Sequence, residues 1–311
     1  MRQGKNLIVM FDGTGNDAGA ENRYSNVRKL YELMLRDKTR TNPIYVEGIG
    51  TLNGEGLPEE ATGIGLWNRM KDGYEWLTNE ILQTENESYA IMLLGFSRGA
   101  YTAHAFSWLL NFGKIPRDVS LCGPIVDSFR DNDKNTVQQL LQDGKKIKNI
   151  EFLGVWDIVK SKFFSNNHND AELAPNVEDA YHAMSMDECR FFFKLNKWEP
   201  TSRANCVWFA GIHSNVGGGY PDSHLSDISL HCMIRRLIHH GVRIKADYRE
   251  KLQEDPTWKS EWKLNLDAPR EYEGEPIHVS VRERIATCGN VLNIKNFPAQ
   301  PIYVDNELRI V

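Results

Sequence analysis

Short apolar runs alternate with helix-periodic stretches along most of this chain. Leu7-Ile-Val-Met-Phe11 is continuously apolar, as in a strand covered on both faces of a parallel sheet. The loop Asp12-Gly13-Thr14-Gly15-Asn16 follows it, then a helical stretch over Asn26–Leu35. Pro43–Val46 predicts a second strand running into the glycine-rich Glu47–Thr51, and residues 52–65 read as an irregular active-site loop. From Leu66 to Thr84, the residues Trp67, Met70, Tyr74, Leu77 and Ile81 fall on one helical face. Tyr89–Gly95 is again apolar, and Ala100–Leu110 returns to the helical period.

The second half continues the alternation. Residues 115–148 read as mostly helical and polar, and Asn149–Asp157 as a strand ending in an acid. Residues 160–178 predict an exposed loop, and a helix is expected near Val177–Met186. Ala204–His213 reads as a strand closing on a histidine, before Ser214-Asn-Val-Gly-Gly-Gly-Tyr220 and a helix over Leu225–Leu237. Residues 241–311 are more polar and form a candidate peripheral cap or C-terminal extension on a single domain spanning residues 1–311. Strands alternating with helices predict an α/β fold with a mostly parallel central sheet and helices on both faces. Ligands of such sheets collect beyond the carboxyl ends of the strands, where Asp12, Ser97, Asp157 and His213 all stand.

Composition narrows the class without naming a chemistry. The 311 residues are 41% hydrophobic and 25% charged, ordinary values for a globular chain. The net charge of −5 and the lack of a basic stripe speak against nucleic acid. Five cysteines without a C-x-x-C pair suggest reduced thiols in a protein made in the cytoplasm. The first apolar run is too short for a signal-peptide core, so activity outside the cell would require a non-classical secretion route.

The chemistry centres on Gly95-Phe96-Ser97-Arg98-Gly99. A strand before it and a helix after it turn a bare G-x-S-x-G match into a candidate nucleophile elbow, whose glycines let strand and helix crowd together. Ser97, Asp157 and His213 follow in the chain order of a hydrolase triad. Histidine would act as base then acid, and the carboxylate would hold its tautomer. The competing readings are a loop or capping acid at Asp157 and a buried, satisfied histidine at His213. His278 is the reserve base, and Asp222 and Asp227 are reserve acids. The backbone N–H of Arg98 and a donor from Gly13 or Thr14 are candidates for the oxyanion hole, with Asp12 in support. His231, His239 and His240 suggest a solvated helix face. The mechanism calls for no metal or other cofactor.

Four motifs in order carry a resemblance across nearly the whole chain: Phe11-Asp-Gly-Thr-Gly-Asn16, Gly95-Phe-Ser-Arg-Gly-Ala-Tyr-Thr-Ala103, Gly154-Val-Trp-Asp157 and Gly211-Ile-His-Ser-Asn-Val-Gly-Gly-Gly-Tyr220. Ala183–Arg190 and Ile277–Arg284 add to it. Together they resemble the α/β-hydrolase family of type VI secretion phospholipase effectors, formerly described as a domain of unknown function. The resemblance implies a serine esterase of the phospholipase A type with Ser97, Asp157 and His213 as triad. It also implies a phospholipid substrate met at a membrane surface, and allows a secretion-system or immunity partner. The chain departs from the family at Asn215, where Asp is usual, and at Ile158-Val159-Lys160, where Thr-Val-Gly is usual. Two rival readings are a phosphate-handling hydrolase built on the Asp12 loop and a non-catalytic binding module on the same fold.

Overall fold

Leu7, Val9 and Phe11 face one side of the first strand and Ile8 and Met10 the other, each set entering a separate core cluster. That two-sided burial explains why the run carries no polar alternation. The computed structural model describes residues 4–13, 23–48, 64–84, 88–159, 170–258, 269–289, 292 and 294–311. Eight strands form its central sheet: β1 (Lys5–Phe11), β2 (Thr41–Val46), β3 (Tyr89–Phe96), β4 (Ile150–Trp156), β5 (Ala180–Ser185), β6 (Ala204–Phe209), β7 (Ile277–His278) and β8 (Tyr303–Val304). Their order is β2-β1-β3-β4-β5-β6-β7-β8, and every described pairing is parallel. β2 is an edge strand, which is why it tolerates Pro43 in its middle.

Helices cover both faces. Helix α1 (Asn26–Leu33) packs on one face, and α2 (Ile64–Gln83), α3 (Arg98–Leu110), α4 (Cys122–Arg130) and α5 (Lys134–Leu140) pack on the other. The short α6 (His213–Gly217) and the long α7 (His224–His239) join α1, and α8 (Val279–Cys288) follows β7. Residues 241–311 therefore supply two strands to the central sheet. No helix among the described residues is long and apolar enough to cross a membrane.

One expected helix is a strand. The sequence predicts a helix near Val177–Met186, but Ala180–Ser185 is β5, buried at all six positions between β4 and β6. Its Ala-Tyr-His-Ala-Met-Ser sequence has no β-branched residue, so local propensity leans away from a strand. Burial on both faces and two ladders of hydrogen bonds override that preference. The strand expected to close on His213 ends at Phe209, and a turn through Gly211 (φ 107°) lets His213 open α6. The expected segments 52–63, 14–16 and 160–169 lie outside the described residues.

The chain order of the strands reverses between β1 and β3, the switch point at which open α/β sheets bind ligands. Asp12 follows β1 and Ser97 follows β3 at that crevice.

Candidate active site

Ser97 sits on the sharp turn between β3 and α3 with φ 59° and ψ −125°, a strained backbone for a non-glycine residue. Its N–H extends the sheet ladder to the Trp156 carbonyl at 3.0 Å. The flanking glycines are sterically required. A Cβ on Gly95 would lie 2.5 Å from the Gly99 carbonyl oxygen. One on Gly99 would lie 2.4 Å from the Phe11 and Asp12 carbonyl oxygens. Close packing of β3, α3 and β1 is thus what the G-x-S-x-G spacing secures.

Asp157, just past β4, is fully buried and accepts from every side. His213 Nδ1 lies 2.7 Å from its Oδ2. The Ser185 N–H donates to Oδ1 (2.8 Å) and the Ser185 hydroxyl to Oδ2 (3.0 Å). Arg270 forks onto both oxygens, through Nη1 to Oδ1 at 2.6 Å and Nη2 to Oδ2 at 3.0 Å. Burial alone would raise this carboxyl, but the Arg270 charge and the His213 bond outweigh it and hold it well below the usual carboxylate range. A carboxylate facing Nδ1 makes that nitrogen the donor, which leaves Nε2 as the basic nitrogen. His213 is sandwiched by the rings of Phe96 (4.6 Å) and Phe193 (4.9 Å), so its imidazole packs on the residue preceding Ser97. Its own N–H donates to the buried Glu188 at 3.2 Å. Asn215 accepts from the Ile212 N–H at 3.2 Å and so closes the start of α6.

Asp12 is buried with three donors: Gly13 N–H (2.6 Å), Ser25 hydroxyl (2.5 Å) and Tyr45 hydroxyl (2.6 Å). Burial pushes its carboxyl up to about 6 although all three bonds pull the other way. Gly13, a candidate oxyanion donor, thus spends its N–H on Asp12, and Thr14 lies outside the described residues. With both oxygens occupied, Asp12 is poorly placed as a phosphoryl nucleophile. Its titration carries a stability prediction. The unfolded chain releases this proton first, near the ordinary value of 3.8, and the folded chain only near 6. The contribution of Asp12 to stability is therefore full below about pH 4 and falls by on the order of 3 kcal/mol as pH rises through 6. Asp12→Asn is expected to flatten that part of the profile, measured by urea unfolding at several pH values. An unchanged slope would show that Asp12 is not its source.

Two of the reserve residues, His278 and Asp227, are engaged elsewhere. His278 caps α8, with Nδ1 2.8 Å from the Ser280 hydroxyl, and stacks on Phe209; burial pushes its imidazole down to about 4. Asp227 accepts from Lys29 (2.8 Å), Ser223 (2.8 Å) and the Gln253 N–H (2.9 Å), pinning α7 to α1. Asp222 Oδ1 is buried without a partner among the described residues. His231 and His240, expected on a solvated face, are mostly covered and pair with Glu254 and with Glu151 and Asp179. Among the described residues, no group of three or more His, Cys, Asp or Glu side chains could hold a metal ion. Arg270, Ser185, Glu188, Ser25 and Tyr45 were not legible as site residues in the sequence. Only Ala183–Arg190, as a resembling motif, flagged the neighbourhood of two of them.

Residues 5–236 match the catalytic domain of the type VI secretion phospholipase effectors, Tle1-like. The chain belongs to that family. An uncharacterized Saccharomyces cerevisiae protein, YEL023C, is 26% identical to this Tle1-like chain over 226 residues, 63% of the chain and 33% of that protein. The crystal structure of an uncharacterized Pseudomonas aeruginosa protein superposes with a TM-score of 0.52 at 18% identity, covering 79% of this chain and 47% of that one. The Tle1 effector bound to the VgrG spike of the type VI secretion system gives a TM-score of 0.43 at 20% identity, covering 70% and 52%. This Tle1-like chain thus spans a third of the yeast relative and about half of each of those two structures. Arg270 lies beyond the matched residues.

Proposed function

We propose that this Tle1-like domain is a serine hydrolase of the phospholipase A type, cleaving acyl esters of phospholipids through Ser97, His213 and Asp157. The observation that carries the reading is the 2.7 Å bond between His213 Nδ1 and Asp157, beside a serine on a strained elbow. Ser97 Oγ attacks the acyl carbon as His213 Nε2 takes its proton. The collapsing tetrahedral intermediate receives that proton on the leaving alcohol, and water then releases the acyl group by the reverse sequence. The Arg98 N–H, at the first turn of α3, is one oxyanion donor. Gly13 would be a second only after its N–H turns from Asp12 towards the substrate.

Membership of a phospholipase family supports a lipid ester, and so does the surface beside the base. Phe193 touches His213, and the two residues before it, Phe191 and Phe192, are 68% and 72% exposed. Two projecting rings next to exposed Lys194 suit the interfacial zone of an anionic bilayer. Phe191→Ser with Phe192→Ser is expected to weaken sedimentation with anionic vesicles about 10-fold or more while sparing hydrolysis of a soluble short-chain ester. Equal loss on both substrates would assign the rings to folding instead. A VgrG-type partner and delivery by type VI secretion are part of the same proposal.

The deciding experiment is labelling of Ser97 by a fluorophosphonate probe, followed by a phospholipid panel. A wild-type domain that is folded, unlabelled and inactive on every ester would leave the non-catalytic binding module as the better reading.

A further inference from the structure

The acid of the site has a cation as well as a histidine. Arg270, on the short extended segment Arg270–Glu271, has a side chain only 7% exposed and reaches Asp157 across 113 positions of sequence. Both of its terminal nitrogens are held again from behind. Nη1 donates to the Ser185 carbonyl (2.6 Å) and hydroxyl (2.7 Å), and Nη2 to the Phe193 carbonyl (3.0 Å). A fork of this kind fixes the plane of a carboxylate, which a single contact cannot do. Because Phe193 packs on the imidazole, the same guanidinium anchors both the partner and the wall of His213.

We propose that Arg270 is a positioning residue for hydrolysis, locking the Asp157 carboxylate towards His213 and sharing its negative charge. The inference rests on the serine hydrolase reading of Ser97, Asp157 and His213. Its electrostatic consequence is specific. In a buried site, a carboxylate already paired with a permanent cation stabilises the imidazolium less than a bare one does. Removing Arg270 leaves His213 and the neutral Ser185 donors on Asp157, so the carboxylate holds the imidazolium more strongly. Among the described residues, the pair is also faced by Glu188 and Arg190, bound to each other, and by His182 on β5, whose Nε2 accepts from the Ile158 N–H at 3.1 Å. Glu188 accepts the backbone N–H of His213 and is itself neutralised by Arg190. Among the described residues, Arg270 is the cation hydrogen-bonded to Asp157.

The test compares wild type, Arg270→Ala and Arg270→Lys for kcat/KM on a soluble p-nitrophenyl ester and for fluorophosphonate labelling of Ser97, each across the acid-to-neutral range. Arg270→Ala is expected to lose roughly 10- to 100-fold in kcat/KM. Its acidic limb should move up by about one pH unit, and guanidinium ion in the buffer should reverse both changes in part. Arg270→Lys keeps the charge but not the fork, so it should lose rate while its acidic limb stays near the wild-type position. A folded Arg270→Ala enzyme whose rate is unchanged, or falls equally at all pH values with the limb unmoved, overturns the proposal and leaves a mere tether. Where Arg270→Ala fails to fold, full wild-type activity in Arg270→Lys overturns it. A wild-type domain that neither labels at Ser97 nor hydrolyses the ester sinks the hydrolase reading and this inference together. A labelled, active wild type with an insensitive Arg270→Ala sinks only the role of the arginine.

Discussion

Replacing Ser97 by alanine is expected to lower kcat for ester hydrolysis by about 10⁴-fold or more while leaving the fold intact. The reasoning is local. In the proposed mechanism the Ser97 hydroxyl oxygen forms the acyl bond, and no neighbouring side chain of the elbow could replace it. Alanine carries the same Cβ as serine and so suffers the same strain at φ 59°, which makes a large change in stability unexpected. The site is 7% exposed, and loss of one hydroxyl leaves little space to refill. The measurement is steady-state hydrolysis with thermal unfolding as control. A folded Ser97→Ala enzyme with more than roughly a tenth of wild-type kcat would place the nucleophile elsewhere, since a triad serine contributes far more than that.

Asp157→Asn should be nearly as damaging to rate, and it should also destabilise the protein. An asparagine at 157 presents an amide where His213 needs an acceptor, which favours the wrong imidazole tautomer and costs about 10⁴-fold in kcat in a triad. The second effect comes from Arg270. Its guanidinium is almost wholly buried and would lose its counter-charge, at a cost of about 3–5 kcal/mol. The stability of this pair is present above the ordinary carboxyl range and is lost only as pH falls through the lowered folded value. Asp157→Asn therefore mimics, at neutral pH, what strong acid does to the native site. Combining it with Arg270→Met removes the orphan charge, so urea unfolding should show stability regained while kcat stays low. A double variant as unstable as Asp157→Asn alone would mean that the buried guanidinium is not the source of the loss.

The parts of this protein that depend on near neighbours in sequence were legible from the chain alone. Leu7–Phe11 and Tyr89–Phe96 could be read as buried strands because two-sided burial demands an unbroken apolar run. The elbow was legible because a serine between Gly95 and Gly99 satisfies a steric demand of one turn. The alternation of strand and helix carried the fold class, and strand ends placed Asp12, Ser97 and Asp157, whereas His213 opens a helix after the strand has ended at Phe209.

What the tertiary structure alone decided is every feature whose partners are far apart in the chain. β5 is a strand because β4 and β6 enclose it, against the leaning of its own Ala-Tyr-His-Ala-Met-Ser sequence. Asp12 gains Ser25 and Tyr45 only when α1 and β2 dock beside β1, and that same docking buries it and raises its carboxyl. Arg270 could not be told from any other surface arginine until the chain beyond the family-matched residues folded back onto Asp157. Periodicity and turn chemistry record short-range sterics and which faces of an element are buried. Desolvation and charge pairing are set by whichever distant groups the fold brings within reach, and the chain order holds no trace of them.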